Sequence, residues 1–325
     1  MSITITGGIS FSGGVGIVAP PPSEANAAWF TSIGTSNMQR ITFATDTATA
    51  SVRGKLSETR WQLGSVSTLD YGWWGAGFTN GSPNDSTSRV DRMTFVNDTA
   101  VNSVRGPLTT TLCNHAASSN GTTYGWFGGG NPGINEPRIS TVTRIEYSND
   151  TVVSTNRGPL SQPKRNLVAS SNTTSGWWGG GYNYTDQTYI YSTVDRITYA
   201  TDTATASVRG PLSIARYWLG GTGNANYGWF AGGATPGFVI ISTVDRITYA
   251  TDTATASVRG PMSIARYYLS GSGNTSYGWF GGGYPGPLST VDRITYATDT
   301  ATADVRGPLF TSGGNANNDS CGGVQ

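Results

Sequence analysis

The segment STVDRITYATDTATASVRGP stands at residues 192–211 and again, unchanged, at 242–261. So faithful a tandem copy restricts the chain to architectures assembled from one repeated unit, since equal segments bury equal faces. Looser copies run through the rest of the sequence. An Arg-Gly pair falls at Arg53, Arg105, Arg157, Arg209, Arg259 and Arg306. Gln39, Asp91, Thr143, Asp195, Asp245 and Asp292 each stand 14 residues ahead of one of these arginines. A Gly-Trp element, such as the YGWF that begins at Tyr227 and Tyr277, follows the Arg by 18 residues, once by 19. Only the interval from this element to the next marker varies, from 12 to 20 residues. Six copies of about 50 residues each predict an all-β, six-bladed β-propeller.

Each copy divides into four antiparallel strands. The first lies in stretches such as RYYLSGSGN, small enough at its end to crowd around a channel, and the second is YGWFGGG. The third, STVDRITYA, is β-branched and aromatic, and the fourth is TATASVRG. The turn between the last two carries Asp46, Asp98, Asp150, Asp202, Asp252 or Asp299, expected to cap its own turn. One such sheet cannot bury both its faces, whereas a ring of them can. The first aromatic pair, Trp29 and Phe30, begins at a second strand, and chain remains after Arg306 through Phe310 to Asn318. That piece is expected to supply the innermost strand of the first blade and close the ring. The organisation is then an extended Gly/Pro-rich arm over 1–26, the propeller over 27–318 and a tail over 319–325.

The order Arg216, Tyr227, Gly232-Gly233, Val244, Tyr249, Asp252, Pro261-Met262, Arg266 resembles the Kelch repeat, and the resemblance covers about residues 27–318. It departs in one respect. Kelch repeats usually carry Trp in the fourth strand, where this chain has Thr and Ala, so no Kelch partner-binding residue is carried over. The wording YGWFGGG…STVDRITYATDTATASVRGPLS, with the opening SITITGGISFSGG, resembles virion and tail-fibre-associated proteins of marine, cyanophage-like tailed phages. This resemblance implies a non-enzymatic virion structural protein (tail fibre, appendage or capsid decoration) that displays its propeller toward a host-surface glycan or receptor. The alternatives are a cellular Kelch-like adaptor or lectin-type module and, more remotely, a glycan-active propeller enzyme.

Charge and cysteine content narrow the partners. The formal charge is +1, with Lys55 and Lys164 the only lysines and no basic run, so nucleic acid is not an expected partner. Cys113 and Cys321 make no disulfide framework. The start has no positive charge ahead of its apolar residues, and glycines interrupt every apolar run. Neither a secretory signal nor membrane insertion is expected, and the chain is read as made in a host cytoplasm and released with the virion.

His115 is the only histidine, so a His-rich metal site is excluded and no metal or other cofactor is expected. Cys113 and His115 are two apart on one strand, the spacing of a nucleophile and base in principle, but no third group orients them and channel packing is the expected role. Asp91, Asp195, Asp245 and Asp292 are expected to pair across strands or blades with arginines such as Arg105, Arg209, Arg259 and Arg306.

The variable interval is the loop between second and third strands. Its copies at 78–88, 131–140, 182–192, 234–242 and 284–289 hold a candidate ligand face of Asn131, Tyr182, Tyr184, Asp186, Tyr189, Tyr191 and Phe238. Aromatic rings beside polar groups suit sugars or a protein partner. The 1–26 arm, with Ile3 and Ile5 alternating, is expected to dock on other virion proteins by strand addition, and an oligomer is compatible with that.

Overall fold

The computed structural model describes residues 26–31, 35–79, 86–133, 136–183, 189–285 and 288–310. The arm up to residue 25, Tyr184, Asp186 and the chain beyond Phe310 lie outside the described residues, as does the expected ring-closing strand. The protein is an all-β propeller of six four-stranded antiparallel blades, fitting a Kelch-like propeller in general. Three strands of the first blade fall within the described residues: Ala27–Thr31, Asn37–Thr42 and Ser51–Lys55. The fifth blade shows the complete pattern. Its strands Gly220–Gly223, Tyr227–Ala231, Val244–Thr248 and Ser257–Arg259 pair in sequence order.

The inner strands carry small residues because they converge on the axis. A methyl added at Gly271 would sit 2.2 Å from the Gly221 carbonyl oxygen of the adjoining blade. The third strand, VDRIT, is covered on both faces and so loses the usual buried–exposed alternation, with Val244, Asp245 and Ile247 all buried. The outer strand is short, with its Val exposed, which limits the open sheet edge.

Core residues gather at the seams between blades. One seam cluster joins Trp177 and Val194 of the fourth blade to Leu212, Phe230, Ile247 and Tyr249 of the fifth. Trp177 stacks on Tyr249 at 3.8 Å, and its indole Nε1 donates to Asp252 Oδ2 at 2.8 Å. Arg196 donates to the same oxygen at 3.0 Å, and Arg209 Nε lies 3.6 Å away. The turn aspartates therefore accept hydrogen bonds from the preceding blade, a different task from the turn capping expected of them.

The same latch closes the ring. Trp279 and Arg293 of the last blade donate to Asp46 of the first at 2.9 and 3.0 Å, and Trp279 stacks on Phe43 at 3.8 Å. The Gly307 amide donates to the Asp46 carbonyl at 2.7 Å, and the Ala50 amide to that of Pro308 at 2.8 Å. The glycine of each Arg-Gly pair is dictated by this contact. A Cβ at Gly260 would fall 1.8 Å from the Ala301 carbonyl oxygen, and one at Gly307 would fall 1.9 Å from that of Ala48.

Charge pairing differs from expectation in its partners. Asp91, Asp195, Asp245 and Asp292 meet Arg60, Lys164, Arg216 and Arg266 of their own blades at 2.9, 3.2, 3.0 and 3.1 Å, with every one of these side chains fully buried. Arg105, Arg209, Arg259 and Arg306 instead reach the turn carboxylates Asp150, Asp252, Asp299 and Asp46, each at 3.6 Å. The first set is set inside a blade because the cation just ahead of the inner strand lies beneath the third. The Arg-Gly arginines sit on the outer strand and reach only the next blade.

Candidate functional site

The two ends of the channel differ in chemistry. At one end a cavity of about 350 Å3 is rimmed by the turns into the second strands. Asn120, Asn172, Asn224 and Asn274 repeat there, each taking amide hydrogen bonds from its own turn. This end is built alike from blade to blade.

The opposite end, where the variable loops open, holds a cavity of about 150 Å3. Among the described residues its collar is Gln62, Asn114, Asn166, Trp218 and Tyr268, one residue just ahead of each described inner strand, all with φ between 55° and 59°. A left-handed backbone lets each amide turn sideways to its neighbour. Asn114 donates to the Gln62 carbonyl, Asn166 to Asn114, Trp218 to Asn166 and Tyr268 to Trp218, at 2.8–3.0 Å. Asn tolerates this conformation, whereas a side chain such as Trp or Tyr costs about 1–2 kcal/mol there. Strain of this kind concentrates where function needs a particular side chain.

Around Trp218 the aromatics form a cluster on the fourth to sixth blades. Its ring lies 4.3 Å from Tyr268, 5.3 Å from Tyr267 and 6.1 Å, edge-on, from Phe238. Tyr267 in turn stacks on Tyr284 at 5.7 Å.

The residues anticipated for this face have separate fates. Phe238 is 42% exposed and joins the cluster, Tyr189 is exposed and Tyr191 half-buried. Tyr182 is buried edge-on against Tyr217, its hydroxyl accepting from Arg165 Nε at 2.8 Å. Asn131 is fully buried, with its carboxamide bonded to Asn114 and to the Gly133 carbonyl, so it presents nothing to solvent. Trp218, Tyr267 and Tyr268 were not anticipated. The signal was present: the paired positions read WQ, CN, RN, YW and YY across five copies.

Cys113 and His115 are engaged separately. The Cys113 thiol donates to the Asn131 carbonyl at 3.2 Å, and burial pushes its pKa up to about 12, far from the thiolate a nucleophile needs. His115 Nε2 accepts from the Gly64 amide at 3.0 Å, which leaves the proton on Nδ1. Burial, then the charge of Arg60, lowers its pKa to about 3. A base that is neutral when folded and protonated when unfolded withdraws stability as pH falls below about 6.5. Between pH 6.5 and 5 this loss is about 2 kcal/mol. The other inner strands carry Leu63, Leu167, Leu219 and Leu269 at this position. Denaturant titrations across this window should therefore show the slope in the native protein and little of it in His115→Leu.

Among the described residues, no cluster of three His, Cys, Asp or Glu side chains forms a metal site, and no helix is long and apolar enough to cross a membrane. No protein-family model and no curated protein matches the chain.

Proposed function

We propose that the protein is a non-enzymatic display module whose variable-loop face binds a host-surface glycan or receptor, and that it works as a structural protein of a tailed-phage virion. The observation that carries the binding half is the contrast between the channel ends. One is a repeated Asn-capped turn, while the other gathers Trp218, Tyr267 and Tyr268, with Phe238 beside them, at positions where other copies read Trp-Gln, Cys-Asn and Arg-Asn. A rigid ring that varies only on one face suits recognition. Support for the virion half comes from the repeat wording and the opening segment.

Binding is tested by presenting the full chain to host cells and their surface polysaccharides. Retention without release of sugar fragments is expected, with Phe238→Asn, a substitution its left-handed φ of 60° accommodates, reducing it several-fold. Absence of retention, or liberation of fragments, would overturn the reading. Mass spectrometry of purified particles tests the placement, and particles without the chain would remove it.

A further inference from the structure

We infer that the collar end of the channel is a site for one neutral pyranose ring, stacked on Trp218 and Tyr268 and hydrogen-bonded by Asn166, an inference that rests on the binding face proposed above. The cavity of about 150 Å3 is half the lower bound of roughly 300 Å3 for drug-sized ligands, so it takes a single ring with further sugars extending outward.

Its lining is divided. Trp218 and Tyr268, 4.3 Å apart and inclined by 33°, form a platform for the C–H face of a sugar. Beside them Asn166 is 7% exposed, and its carboxamide makes no side-chain hydrogen bond among the described residues. Trp218 Nε1 and His115 Nδ1 are buried donors likewise without a partner. A buried polar group left unpaired costs about 1–3 kcal/mol, and two of them, Trp218 Nε1 and His115 Nδ1, belong to residues that line this one cavity. A carboxamide offers a donor and an acceptor side by side, which matches adjacent hydroxyls. Among the described residues, no carboxylate, lysine or arginine lines the cavity, so an ionic ligand would find no counter-charge among them.

The experiment is saturation-transfer NMR on the full chain with glucose, galactose, mannose and N-acetylglucosamine, followed by titration. Two variants keep the backbone relaxed. Trp218→Asn introduces the residue that Asn114 and Asn166 already are in the same conformation, and Asn166→Gly removes the carboxamide at a φ that glycine favours. At least one sugar is expected to bind, with affinity falling tenfold or more in either variant and unchanged in Val96→Ala, which alters an exposed side chain on the Phe95–Asn97 turn. The inference is overturned if no sugar of the panel binds at tens of millimolar, or if both variants bind as the native chain does. Cell or polysaccharide retention that is lost in Phe238→Asn but kept in Trp218→Asn and Asn166→Gly would leave the proposed function standing and remove this site.

Discussion

Arg216→Leu is expected to cost about 3–5 kcal/mol of unfolding free energy, because it strands the buried Asp245 carboxylate. Adding Asp245→Thr and Ala256→Ser should return most of that loss. The protein carries the template for this exchange in its third blade. There Leu112 stands where Arg216 does, Thr143 where Asp245 does, and Ser154 where Ala256 does. Thr143 and Ser154 share a hydrogen bond at 2.5 Å, and Ser154 Oγ accepts the Thr109 amide at 2.9 Å. In the fifth blade the corresponding Ser213 amide is bonded to Asp245 at 2.8 Å. Two solutions to the same burial problem thus coexist in one ring, one ionic and one neutral. Equilibrium denaturation of the single and triple variants measures the difference. A triple variant no more stable than Arg216→Leu would show that the neutral solution depends on surroundings particular to the third blade.

Asp46→Ala and Asp252→Ala are expected to destabilise by similar amounts, about 2–4 kcal/mol each. Either change leaves an indole N–H without its acceptor, Trp279 in the first case and Trp177 in the second, and removes the nearest carboxylate from Arg293 or Arg196. The arginines keep some solvent, which holds the cost below that of Arg216→Leu. Besides connectivity, the closing seam differs in Asp304, 3.5 Å from Arg293 and 2.7 Å from Arg306, where the other seam has Ser207. It also stacks Phe43 in place of Tyr249 on its Trp. Asp252 lies between consecutive blades, whereas Asp46 joins the first blade to the last. Equal losses in thermal or urea unfolding mean that the closing seam bears load like the others. A loss at Asp46 below about 1 kcal/mol would mean that the ring is not latched there in solution.

The architecture was legible because it is periodic. The Arg-Gly pair and its marker 14 residues earlier recur once per blade, as does the Gly-Trp element with Ala28-Trp29 as its variant in the first, and each blade needs the same contacts. The partners within those contacts were not legible. Asp252 reads locally as a turn residue, and only the ring brings Trp177 against it across 75 positions. Likewise Asp245 and Arg259 are both repeated, but repetition gives no bond, and the buried partner is Arg216. At the candidate site the loop tyrosines drew attention through their length variation. The collar escaped it because Trp218 and Tyr268 precede strands whose other residues are small, and nothing local marks their left-handed backbone.

Chemically alike seams also mean that a blade cannot distinguish its own chain from another. The latch of Trp, Asp and Arg that joins the fourth blade to the fifth would equally accept a sixth blade arriving from a second molecule. What selects self-closure is tethering, since a blade on the same chain is present at an effective concentration of roughly millimolar. A chain shortened by one whole copy would lose that advantage if five blades could not meet around the axis. Its unsatisfied first and last edges would then seek each other between molecules, giving concatenated rings or open filaments in place of a monomer.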